Sequence, residues 1–177
     1  MKATGIVRRI DDLGRIVIPK EIRRTMHIRE GDPLEIFTGS DGELIFKKYS
    51  PLGEIAHFSA KYVESLSKAA GIPSAVCDRD TVIAASGAGT KELVEKPVSR
   101  QVSLLLEKRQ SYVSDGVSSI TLTESGSEKI ACLSPIISSG DVIGAVVMLE
   151  REKRPVSDAE KKMINAGAMF LSGQIDI

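Results

Sequence analysis

The sequence predicts an α+β chain of two domains. A small β-rich module over residues 1–50 would fold as an intertwined dimer, and a larger domain of antiparallel sheet with flanking helices would follow it. Three observations carry this. The first fifty residues hold four short aliphatic runs but too little chain for a self-sufficient core. Their cations crowd into residues 1–29. The 127 residues beyond alternate strand-like and helix-like patterns between turn signals.

In the first module the apolar runs are Gly5-Ile6-Val7-Arg8-Arg9-Ile10, Arg15-Ile16-Val17-Ile18, Leu34-Glu35-Ile36-Phe37 and Leu44-Ile45-Phe46. Asp11-Asp12-Leu13-Gly14, Gly31-Asp32-Pro33 and Gly39-Ser40-Asp41-Gly42 separate them, so the first two and the last two read as hairpins. Ile16, Val17 and Ile18 are consecutive, so both faces of that run require cover. With neither metal nor disulfide to help, a second copy of the chain is the expected source of the missing core. Pro19 suits the first position of a short helix, where its lack of an N–H costs nothing. Asp11 and Asp12 read as turn formers.

Charge is uneven within this module. Residues 1–29 carry eight cations against three carboxylates, a formal charge of +5, whereas residues 30–50 carry two against five, or −3. The whole chain, with 24 basic and 24 acidic residues, conceals this asymmetry. Six of the eight early cations are arginine, whose planar fork grips phosphate or a guanine edge bidentately. Arg9, Arg29, Lys47 and Lys48 also fit a solvated strand edge, where charge deters aggregation.

Thr4-Gly5-Ile6-Val7-Arg8, Asp12-Leu13-Gly14-Arg15-Ile16-Val17-Ile18-Pro19, Glu21-Ile22-Arg23-Arg24-Thr25 and Gly31-Asp32-Pro33-Leu34-Glu35-Ile36 resemble the AbrB-type swapped-hairpin DNA-binding domain of Gram-positive bacterial regulators. The resemblance implies two chains exchanging hairpins into one barrel that presents arginines to duplex DNA. It assigns DNA contact to Arg8, Arg15, Arg23 and Arg24, with Lys2, Arg9 and Lys20 as further candidates. Related sequences often place a glycine before the isoleucine of Met26-His27-Ile28, which implies positive φ at His27.

After Tyr49, the breaker Ser50-Pro51-Leu52-Gly53 runs into a stretch whose Ile55, Phe58, Tyr62, Val63, Leu66 and Ala70 keep helical spacing until Gly71-Ile72-Pro73. The domain boundaries expected are therefore 1–50, a linker and connecting helix at 51–71 that opens the second domain, and the remainder at 72–177. Residues 75–78 and 81–86 read as a hairpin, 98–109 as a helix, and 112–113 and 120–123 as short strands. A second hairpin spans 129–150. A closing helix opens on Ser157-Asp158-Ala159-Glu160, a capping-box pattern, and carries Met163, Ile164, Gly167, Phe170, Leu171 and Ile175 as an apolar stripe.

This order, with Pro135-Ile136 through Met148, resembles a GAF-type sensor domain. The resemblance implies first and last helices packed on one face of the sheet, a helical dimer interface that would make the whole protein a tetramer, and a small-molecule pocket of unknown ligand. Ser86–Thr90 and Asp115–Ser119 are candidate pocket linings. The two halves together resemble sporulation-stage transcription regulators of endospore-forming bacteria, which implies a cytoplasmic, nucleoid-associated protein of the developing spore.

Enzyme chemistry finds no footing. Gly87-Ala88-Gly89 lacks the third glycine of a dinucleotide fingerprint, and Gly89-Thr90-Lys91 inverts the order a phosphate loop needs. The two histidines, His27 and His57, have neither metal-ligand spacing nor a neighbouring nucleophile, so no metal and no cofactor is expected. Cys77 and Cys132 lie in apolar runs and read as small core residues. No signal or membrane-spanning run is present. Tryptophan is absent and aromatics make up 4 % of the chain, which disfavours base stacking on single strands and leaves duplex DNA as the expected nucleic acid. Two other readings are an antitoxin-type module, whose tail would fold on a protein partner, and a ligand-processing enzyme on the C-terminal domain.

Overall fold

A computed structural model describes residues 4–151 and 154–175. The chain divides into two compact units, Met1–Tyr49 and Ser50–Ile177.

In the first unit, helix α1 (Lys20–Thr25) starts directly after Pro19, and strands β1 (Leu34–Thr38) and β2 (Leu44–Lys48) form an antiparallel hairpin with Ile36 opposite Phe46. α1 ends in a Schellman motif. The Ile28 N–H donates to the Arg23 carbonyl at 2.8 Å and the His27 N–H to the Arg24 carbonyl at 3.3 Å. That closure puts His27 at φ +52°, the left-handed backbone expected for the position at which relatives carry glycine.

The hairpin expected over residues 5–18 is only partly formed. Its turn is present, with Asp11 N–H to Arg15 O and Gly14 N–H to Asp11 O both at 3.0 Å, but no strand ladder extends from it. Isolated two-stranded ribbons are marginal in water, and these runs lack the cover on both faces that their composition demands. Val7 is 86 % exposed, Leu13 69 % and Val17 70 %.

The second unit is a five-stranded antiparallel sheet in the order β4-β3-β7-β6-β5. It opens with α2 (Pro51–Glu54) and α3 (Ala56–Ala70), followed by β3 (Ser74–Asp78) and β4 (Val82–Ser86). Then come α4 (Arg100–Glu107), β5 (Tyr112–Val113), the long hairpin β6 (Ile130–Ser138) and β7 (Asp141–Leu149), and α5 (Asp158–Ile175). Period-two alternation sorts the sheet's side chains into two cores. Val76, Cys132, Ile136, Val146 and Met148 pack with Leu52, Val63, Leu66, Ile164 and Leu171 of α2, α3 and α5. Ala75, Cys77, Leu133 and Val147 pack with Val102 and Leu106 of α4 and with Leu93 and Leu122 of the connecting loops.

The cysteines therefore lie in different cores, and burial pushes both thiols up to about 12, which makes them inert packing residues at neutral pH. Residues 120–123 do not make a strand, only isolated bridges at Thr121 and Thr123. The Leu122 N–H donates to the Glu128 carbonyl at 2.9 Å and the Ile120 carbonyl accepts the Ile130 N–H at 2.8 Å, while the Thr121 and Leu122 carbonyls turn to Ser99 at the start of α4. The Ser99 hydroxyl caps the Val102 N–H at 3.2 Å and donates to the Thr121 carbonyl at 2.7 Å, which also explains why α4 begins at Arg100 rather than Val98.

The capping box at α5 is formed. The Glu160 carboxylate accepts the Ser157 N–H at 2.7 Å, and the Glu160 N–H donates to the Ser157 hydroxyl at 3.3 Å. Arg154 grips the same carboxylate in a bidentate pair. Arg154, then Ser157, hold the Glu160 carboxyl down to about 2 from its ordinary 4.5. The stability this group contributes is fully present above pH about 4.5 and is lost as pH falls toward 2. Urea midpoints between pH 6 and 2.5 should therefore drop less for Glu160→Gln than for the unaltered protein, with the variant already weaker at pH 6. Parallel curves would remove Glu160 from the acid response.

Candidate nucleic-acid interface

The cations of the first unit fall into two physical groups. Lys47 lies over the Phe37 ring at 4.8 Å, and Lys48 donates to the His27 carbonyl at 2.8 Å and pairs with Asp32 at 3.4 Å. These side chains serve the hairpin. Arg8, Arg9, Lys20 and Arg24, by contrast, are exposed and have no side-chain partner among the described residues. Free cations on a surface are the electrostatic footprint that a polyanion reads. Lys2 lies outside the described residues.

α1 brings Lys20, Arg23 and Arg24 onto one face through their i, i+3, i+4 spacing. Arg23 is half-buried, and its Nε is buried without a hydrogen-bond partner. Buried donors of this kind ordinarily find an acceptor, and Arg23 Nε has none among the described residues. Arg8 and Arg9 lie in the extended segment before the 11–15 turn, and no described contact ties them to α1.

Arg15 is the most organised of the set. The Asp11 carboxylate accepts the Leu13 N–H at 3.0 Å and the Arg15 N–H at 2.8 Å, an Asx-type turn. It also accepts from Arg15 Nε at 2.8 Å. The Arg15 N–H and then its guanidinium lower the Asp11 carboxyl from its usual value. Nε is engaged while both terminal nitrogens are unpartnered among the described residues, so the fork is aimed outward rather than free to swing. As a turn former Asp11 matches the sequence reading; its aiming of Arg15 does not appear there, although the oppositely charged pair four residues apart was a usable signal.

Among the described residues, the second unit has no group of His, Cys, Asp and Glu that could hold a metal. His57 is exposed on α3, its ring edge-on to Phe58 at 6.0 Å. A cavity of about 160 Å³ is lined by Ala88 and Thr90 of one candidate pocket loop together with Ser127, Glu128 and Lys129. Another, of about 230 Å³, lies against Ile72, Cys132, Met148 and Glu160. Asp115–Ser119 lines neither. Its Asp115 carboxylate instead folds the loop on itself, accepting the Val117 and Ser118 N–H groups at 2.9 Å.

Comparison with known proteins places both halves. Residues 54–176 match the family described as "Stage V sporulation protein T C-terminal, transcription factor". Residues 7–53 match "Antidote-toxin recognition MazE, bacterial antitoxin". The chain is 44 % identical to stage V sporulation protein T of Bacillus subtilis over 178 aligned positions, covering 99 % of each chain. It is 59 % identical over 51 residues to the transition state regulatory protein AbrB of the same organism, covering 29 % of this chain and 52 % of that one. The second unit shares its fold with the GAF domain of a phosphoenolpyruvate-protein phosphotransferase from Coxiella burnetii. The TM-score is 0.55 at 15 % identity, over 68 % of this chain and 82 % of that one.

Proposed function

The chain belongs to the stage V sporulation protein T family of transcription factors, and we propose that it regulates sporulation-stage genes by gripping duplex DNA through arginines of a dimeric swapped-hairpin barrel. Arg8, Arg15, Arg23 and Arg24 would make the principal contacts, with Lys2, Arg9 and Lys20 adding charge. The observation that carries this reading is the Asp11-aimed Arg15 fork, together with an α1 face whose cations have no side-chain partner among the described residues.

Val7, Ile10, Leu13 and Val17, all exposed on the lone chain, would form the shared core with a second copy, so that dimerisation assembles the basic surface. Phe58, Met169 and Phe170 are also exposed on α3 and α5 and favour pairing of the second units into a tetramer. Two barrels on one duplex would then gain avidity without new contacts. Phosphate contacts would supply most of the affinity, and DNA shape part of the specificity. The site of action would be the nucleoid of the developing spore, and the second unit's cavities would be open to a small-molecule ligand.

An antitoxin-type role would require a tail that folds on its partner, whereas residues 74–149 already form a five-stranded sheet. Fluorescence anisotropy with a labelled duplex at graded salt tests the proposal. Log affinity should fall with log salt by about 0.9 per phosphate neutralised, and a flat salt response would refute it.

A further inference from the structure

The chain enters the second unit at Ser50, and its first residues there are held far more firmly than a tether requires. The Ser50 hydroxyl donates to Asp78 Oδ2 at 2.8 Å and, as the N-cap of α2, accepts the Gly53 N–H at 3.2 Å. Asp78 cannot follow a loose chain, because its Oδ1 is fixed by the Asp80 and Thr81 N–H groups at 2.8 and 2.7 Å in the β3–β4 turn. Two residues on, Leu52 is fully buried. Its seat exists because residue 144 of β7 is glycine, where a Cβ would stand 2.4 Å from Leu52 Cδ1 and 2.1 Å from the Cys77 carbonyl oxygen. Pro51, between the two anchors, stiffens the backbone. A flexible Gly/Ser tether would have neither anchor.

We propose that Ser50, Asp78, Leu52 and Gly144 form a clasp that fixes where the chain leaves the second unit, and so sets the spacing at which two barrels engage one duplex. Ser50 and Asp78 are positioning residues, remote from the DNA-facing arginines in sequence and acting only through the length and direction of the tether. The proposal rests on the DNA-binding reading above. Effective concentration at a second site is greatest when the tether matches the span and falls as free length grows, so releasing the clasp should blunt a spacing preference without weakening a single barrel's grip.

The experiment compares the full-length protein with Ser50→Ala and Ser50→Thr on a short duplex that accommodates one barrel and on a series of longer duplexes with two sites at stepped separations. Ser50→Ala should match the unaltered protein on the short duplex. On the best-spaced long duplex it should bind about fivefold more weakly or worse, with a flattened dependence on separation. Ser50→Thr, which retains the hydroxyl, should restore both. An unaltered protein that shows a spacing preference which Ser50→Ala keeps in full would overturn the clasp alone. An unaltered protein that binds neither duplex would overturn the DNA-binding reading and the clasp with it.

Discussion

Arg15→Ala and Arg23→Ala should each weaken duplex binding by about tenfold or more while leaving the protein folded and oligomeric, consistent with losing about 1–3 kcal/mol per well-placed arginine contact. Each substitution occurs twice per dimer. If the contacts are to phosphate, the slope of log affinity against log salt should become shallower by about 1.8 for each variant. If Arg23 reads a base edge instead, its variant should lose discrimination between sequences with little change in slope. Arg15→Lys should rescue poorly, because an ammonium presents its three donors from one nitrogen and cannot offer the planar two-nitrogen fork that the guanidinium keeps outward while its Nε is held by Asp11 at 2.8 Å. Asp11→Ala, which removes the aiming carboxylate, should weaken binding even though it makes the module more positive. Undiminished affinity in both alanine variants would detach these arginines from DNA.

Gly144→Ala should destabilise the second unit by about 3 kcal/mol or more, near the upper end of overpacking effects. The added methyl would lie 2.1 Å from the Cys77 carbonyl oxygen and 3.0 Å from the Asp78 Cα. These are backbone atoms of the neighbouring strand β3, which cannot rotate aside as a long side chain would. The same methyl would evict Leu52 from its seat. Gly173, by contrast, lies in α5 with open space around the corresponding position. Gly173→Ala should be neutral, or stabilising by up to about 1 kcal/mol through helix propensity. Urea unfolding followed by circular dichroism separates the two cases. Equal midpoints for both variants would show that β7 has room at Gly144 after all.

The elements most legible in the sequence were those specified by neighbours along the chain. The α3 stripe ending at Gly71 and the Ser157–Glu160 capping box depend on contacts within a few residues, and the β6–β7 hairpin is nucleated by its tight turn at Ser138–Asp141. The positive φ at His27 was legible only through the resemblance, whose members often carry glycine there, and the Schellman closure supplies its local cause. Residues 5–18 were read as a hairpin because their composition is strand-like, yet apolar side chains that need cover on both faces do not hold a ladder on a single chain. The 120–123 run failed differently: the Ser99 hydroxyl, 22 positions away, takes the Thr121 carbonyl, and the pairing of Ile120 and Leu122 with Ile130 and Glu128 goes no further than an isolated bridge at Thr121. In the candidate site, the arginines stood out through charge asymmetry, whereas the Ser50–Asp78 bond spans 28 positions and leaves no periodic trace. Gly144 likewise reads as an ordinary strand glycine until β3 and Leu52 are seen against it.

Dimerisation and DNA binding are one requirement, because the arginines stand on a module whose apolar residues are exposed on a single chain. The most direct test is the light-scattering mass of the full-length protein across the concentration range in which it binds duplex. The expected mass is four times the 19.1 kDa chain mass, falling on dilution to no less than twice that mass while binding persists. A folded species of 19.1 kDa that still binds duplex DNA would contradict it.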